Sequence, residues 1–127
     1  STQSRSSAAS DVYKRQQVNE NEILSALYQT VVNRRDNPKE GSYTCYLLDK
    51  GIDKILKKVG EECSETIIAA KNGDNSETVY EIADLIYHLT VMMVQQNISL
   101  EDVLAELDKR SEKTGNLKKF HTVDKNS

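Results

Sequence analysis

The segment Glu81–Gln96, EIADLIYHLTVMMVQQ, is apolar on nearly every side, yet it opens with two carboxylates. A helix that is apolar all round belongs at the centre of a core. Glu81 and Asp84 stand three residues apart and His88 follows Asp84 by four, so all three share one helical face. No other formally charged side chain occurs between Asp84 and Glu101. Carboxylates on so apolar a helix are costly to bury unless a cation compensates them. Upstream, Glu61, Glu62 and Glu65 form a second acidic cluster on another helix-like segment. Two helices that present carboxylates to a shared space are a way to hold a hard divalent metal ion.

The 127 residues leave room for one domain. A net charge of −3 carries no electrostatic footprint for nucleic acid. A single proline, no tryptophan and helix formers throughout predict an all-α fold. A domain this small buries a limited core, which favours association of subunits. Cys45 and Cys63 make neither a disulfide framework nor a metal-ligand spacing. With no signal-peptide pattern at the start, they read as reduced thiols in a cytoplasmic setting. No apolar run reaches the length of a membrane span.

Along the chain, residues 1–19 read as a disordered or non-native leader, with a stretch similar to translated linker sequence. The domain is expected over 20–110 and a polar tail over 111–127. Ile23, Leu24, Leu27, Tyr28, Val31 and Val32 give the first helix its apolar face, and Asp36-Asn37-Pro38 ends it. A second helix is expected from about Cys45 to Lys71, with an apolar stripe of Ile52, Ile55, Leu56, Val59, Cys63, Ile67 and Ala70. Asn72-Gly73 stops it, and Asp74 with Glu77 opens a third helix that contains the central stretch. Ser99 reads as the N-cap of a fourth, whose expected buried face is Leu100, Val103, Leu104 and Leu107. Four main helices, completed by dimerisation, make the expected bundle.

At about 100° per residue, Glu62 and Glu65 lie about 60° apart on their helix and can reach one ion. Glu61 projects further round. Carboxylates on two facing helices can fill part of a Mg²⁺ shell, leaving positions for substrate phosphate. The metal could polarise phosphate oxygens and activate a water, giving hydrolysis of a polyphosphate. Lys50, Lys54, Lys57 and Lys58 offer positive charge nearby, and Ser42, Tyr43 and Thr44 offer hydroxyls where a helix begins. Each feature also has an ordinary reading. Glu61 or Glu62 with Lys58 makes a helix-surface ion pair, Ser42 or Thr44 makes a cap, and His88 makes a hydrogen-bonded core histidine, its functional reading being a group that orients a carboxylate.

The ordered blocks E-E-x-x-E (Glu61–Glu65) and E-x-x-D (Glu81–Asp84) resemble the signature of the all-α nucleotide pyrophosphohydrolases, the MazG-like superfamily. Within it, G-S-Y-T (Gly41–Thr44), K-I-L-K-K-V-G-E-E (Lys54–Glu62), I-A-A-K-N (Ile68–Asn72), A-D-L-I-Y-H-L (Ala83–Leu89) and I-S-L-E-D-V-L (Ile98–Leu104) are similar to the phosphoribosyl-ATP pyrophosphohydrolase family. The resemblance spans about Glu22–Arg110. It implies Mg²⁺-dependent hydrolysis of phosphoribosyl-ATP in histidine biosynthesis, with Mn²⁺ as a substitute ion. It further implies Glu62, Glu65, Glu81 and Asp84 as metal ligands, Glu61 as a group that positions or deprotonates water, and a homodimer. Cys63, Ser64 and Thr66 stand where the pattern commonly has small apolar residues. The blocks contain no Cys/His zinc pattern of the cyclohydrolase domain often fused to this activity. Two other functions stay open: a pyrophosphohydrolase of noncanonical (d)NTPs, and a non-catalytic helical dimerisation module.

Overall fold

Among the residues that the computed structural model describes, 20–112, all regular structure is helical. The expected leader over 1–19, and the expected tail beyond residue 112, lie outside the described residues. A short 3₁₀ turn at Glu20–Glu22 leads into α1 (Ile23–Asp36), followed by α2 (Tyr43–Lys50), α3 (Ile52–Lys71), α4 (Asn75–Gln95) and α5 (Leu100–Ser111). The single helix expected over 45–71 is therefore two, which gives five α-helices among the described residues where four main helices were expected. Gly51 makes the division. Its φ of 94° is open to glycine and strained for other residues. The Gly51 N–H closes α2 by donating to the Leu47 carbonyl, and the Gly51 carbonyl starts α3 by accepting from Ile55 N–H. One residue ends one helix and begins the next.

The remaining ends follow their local chemistry. Ser42 Oγ accepts from Cys45 N–H and caps α2. At the end of α3, Gly73 adopts φ 72°, and Asp74 N–H donates back to the Ala69 carbonyl in a Schellman-type closure. Asp74 then caps α4 by accepting from Glu77 N–H at 3.0 Å, and Ser99 caps α5 by accepting from Asp102 N–H at 3.1 Å. The Tyr28 hydroxyl donates to the Ile98 carbonyl at 2.7 Å and ties α1 to the α4–α5 corner.

The hairpin of α3 and α4 is the principal helix pair, with α1 and α2 packed against it. Leu27, Val31, Leu47, Ile55, Tyr87, Val91 and Val94 form the buried apolar cluster. On α3 the buried row is Ile55, Glu62 and Ala69, spaced by sevens. Most of the apolar stripe expected to face the core is turned out instead: Leu56, Cys63 and Ala70 are exposed, and Ile67 is 68% exposed. On α4, Val79, Ile82 and Ile86 likewise face outward. The buried face expected for the last helix also needs correcting, because only Leu100 of α5 is buried while Val103, Leu104 and Leu107 are exposed. The helical periods are sound, but no described element covers these faces. Apolar surface of this extent is characteristic of an association interface.

Candidate active site

Because α3 turns its Ile55–Glu62–Ala69 row toward α4, and α4 turns Glu81, Asp84 and His88 inward, the acids of the two helices meet. Ligand atoms of Glu62, Glu65 and Glu81 lie within 4.8 Å of one another, and so do those of Glu62, Asp84 and His88. Glu62 belongs to both sets and is the hub of the cluster.

Glu62 is 0% exposed, and neither of its carboxylate oxygens has a hydrogen-bond partner among the described residues. Burial, then the charge of Asp84, then Glu81 and Glu65 push its pKa up to about 8. Burial and a hydrogen bond to Glu77 lead the causes that raise Glu81 as well. An ionised carboxylate in this position carries a large desolvation penalty. It must hold a proton or face a cation. A divalent ion supplies what the Glu62 oxygens lack, and an all-carboxylate donor set suits Mg²⁺ or Mn²⁺ better than a soft metal. The residues present therefore fit such an ion.

His88, 0% exposed, stands behind Asp84. Its Nδ1–H donates to the Asp84 carbonyl at 2.8 Å and lies 3.5 Å from Asp84 Oδ1, while Nε2 meets the Tyr43 hydroxyl at 3.1 Å. Burial lowers its pKa against the opposing pull of Asp84, which keeps the ring neutral at pH 7. The rings of Tyr43 and Tyr87 meet it edge-on at 5.8 Å and 4.9 Å.

The other residues singled out from the sequence lie around this locus. Glu61 is exposed and pairs with Lys58 at 3.1 Å, and that hydrogen bond is the main cause that lowers its pKa. Burial pulls the Lys58 pKa down, but the bond to Glu61 and the nearby Tyr43, Glu61 and Glu62 outweigh it and the net shift is up. Lys50 and Lys54 gather over the exposed Tyr46 ring, at 5.7 Å and 6.0 Å from its centroid. Ser42 acts as a helix cap, and the buried Thr44 hydroxyl is hydrogen-bonded to Tyr87. The structure thus unites Glu62, Glu65, Glu81, Asp84 and His88, with Lys58 and Glu61 beside them. It does not bring Ser42 and Thr44 into that cluster. Sequence reasoning missed Tyr87 and the partnership of Tyr43 with His88, which spans 45 positions and leaves no trace in local spacing.

A family model described as phosphoribosyl-ATP pyrophosphohydrolase matches residues 24–111. A phosphoribosyl-ATP pyrophosphatase of Clostridium botulinum (strain Hall) is 54% identical over 101 residues, covering 80% of this chain and 92% of that protein. One of Streptococcus thermophilus is 55% identical over 95 residues, 75% of this chain and 91% of that protein. A histidine biosynthesis bifunctional protein HisIE of Caldanaerobacter subterraneus is 58% identical over 92 residues, 72% of this chain. The match spans 45% of that bifunctional protein's length.

Proposed function

The chain belongs to the phosphoribosyl-ATP pyrophosphohydrolase family, and from that membership we propose that it hydrolyses phosphoribosyl-ATP to phosphoribosyl-AMP and pyrophosphate in histidine biosynthesis. The observation that carries the reading is the convergence of acids from α3 and α4 on Glu62, whose buried oxygens lack hydrogen-bond partners. Glu62, Glu65, Glu81 and Asp84 would hold Mg²⁺, with Mn²⁺ able to replace it. When bound, the ion supplies charge neutralisation of phosphate oxygens and acidification of a coordinated water.

The chain's own residues have separate tasks. Glu62 gives up its proton as the site fills, so occupancy is linked to pH. Asp84 is oriented by His88, which stays neutral and adds no charge to the cluster. Glu61, ionised beside Lys58, would orient the attacking water. Lys58 at the rim, with Lys50 and Lys54 near Tyr46, offsets the charge of the polyphosphate as point charges. Hydrolysis breaks the anhydride between the α- and β-phosphates and releases pyrophosphate.

The outward apolar faces of α3, α4 and α5 support a homodimer in which a second copy covers them. No described helix is long and apolar enough to cross a membrane, and a cytoplasmic location suits a biosynthetic enzyme of this kind. The test is pyrophosphate release with Mg²⁺ from phosphoribosyl-ATP, set against a panel of canonical and noncanonical dNTPs. Preference for phosphoribosyl-ATP is expected. Faster turnover of a dNTP would move the assignment to nucleotide-pool cleansing.

A further inference from the structure

We infer that Tyr43 is a positioning residue for the metal-bearing turn of α4, acting through His88 on Asp84 instead of contacting substrate phosphates. The inference rests on the reading of Asp84 as a metal ligand. A neutral imidazole has one proton for two nitrogens. Nδ1 lies 2.8 Å from the Asp84 carbonyl, which can only accept, so the proton sits on Nδ1. Nε2 is then a buried acceptor, and the donor that meets it is the Tyr43 hydroxyl at 3.1 Å. An unfilled buried acceptor is costly, so the ring is most stable where both bonds are made.

That ring position bears on the ion site. Nδ1 is also 3.5 Å from Asp84 Oδ1, so a displaced imidazole moves the electrostatic contact that aims the carboxylate. The anchor on the other side is fixed in place. Tyr43 lies in the first turn of α2, stacked between Tyr46 and Tyr87 with centroids 6.1 Å and 6.2 Å away. The result is a chain of contacts from α2 through His88 to a carboxylate on α4. Outer partners of this kind set metal affinity because they limit where a ligand can point.

Tyr43→Phe keeps the ring and its stacking and removes only the hydroxyl. Mn²⁺ binding to the full chain without nucleotide, read by electron paramagnetic resonance, is expected to weaken about 10-fold. Turnover of phosphoribosyl-ATP at subsaturating Mn²⁺ should fall with it, while KM at saturating Mn²⁺ stays near wild type. His88→Leu should lose Mn²⁺ affinity as well, and the double variant should be no worse than His88→Leu alone. Wild-type Mn²⁺ affinity in either single variant overturns the inference, as does a rise in KM at saturating Mn²⁺, which would make Tyr43 a substrate contact. Asp84→Asn is the control for the underlying reading. If it binds Mn²⁺ normally the ligand assignment fails, whereas its loss beside an intact Tyr43→Phe sinks only the role given to Tyr43.

Discussion

The two halves of α4 obey opposite rules. Toward its C-terminal end the helix turns Val91 and Val94 inward against Leu27, Val31 and Leu47, as a core helix does. Toward its N-terminal end it turns Glu81 and Asp84 inward, with Val79, Ile82 and Ile86 facing out. One half gains stability by removing apolar surface from water. The other spends some of that gain on buried acids and leaves apolar area uncovered. The difference separates the part of the helix that holds the fold from the part that carries the proposed site. α3 is likewise turned to present Glu62 instead of its apolar stripe, so the proposed ion site and the proposed association face lie on opposite sides of the same two helices.

The contrast can be broken most severely at Glu62. Glu62→Gln is expected to lower pyrophosphate release by at least about 100-fold, beyond the loss typical of changing an outer partner of a metal site. The same change should raise the melting temperature of the metal-free chain at pH 8, because an amide needs no cation. Calorimetric melts in chelator, alongside the activity assay, check both. In the core against which the other half packs, the sign reverses. Leu47→Ala should destabilise by about 2–5 kcal/mol, measured by urea unfolding.

With a folded pKa of about 8 against an ordinary carboxyl value, Glu62 holds an extra proton in the folded state across that interval. The unfolded chain binds fewer protons there, so metal-free stability falls as pH rises through the window and levels off at either end. Glu62→Gln should flatten the slope in urea titrations run at several pH values with chelator present. On the outward side, Ile67→Glu should weaken self-association by at least about 10-fold in sedimentation equilibrium. Its effect within one chain should be within about 0.5 kcal/mol, since Ile67 is 68% exposed there. At a site remote from the cluster, Ser99→Ala should cost about 1 kcal/mol by loss of the α5 cap, measured by urea unfolding.

Much of this was legible in the residues. Helix periods, the Asp74 and Ser99 caps and the shared face of Glu81, Asp84 and His88 are local properties, fixed by spacing of three and four. The meeting of the two acidic clusters followed from the cost of leaving carboxylates on an apolar helix. What was hidden depended on partners distant in sequence and on faces that no described element covers. An apolar stripe reads as inward whether its neighbour is a helix of the same chain or a second copy, and so the outward faces of α3 and α5 were misplaced. Gly51 was hidden for another reason. A helix can carry a glycine, and only its φ of 94° shows that this one divides two helices. The Ser42 hydroxyl, which spacing alone allows either to cap or to meet phosphate, is seen capping.

In the proposed site, carboxylates from α3 and α4 jointly hold a divalent ion. Calorimetric titration of Mn²⁺ into the full chain at pH 8, repeated with Glu62→Gln on α3 and Asp84→Asn on α4, addresses it directly. Saturable binding in the wild type, with marked loss from a change on either helix, is the predicted result. Binding unchanged by both substitutions, or no binding in the wild type, would contradict it.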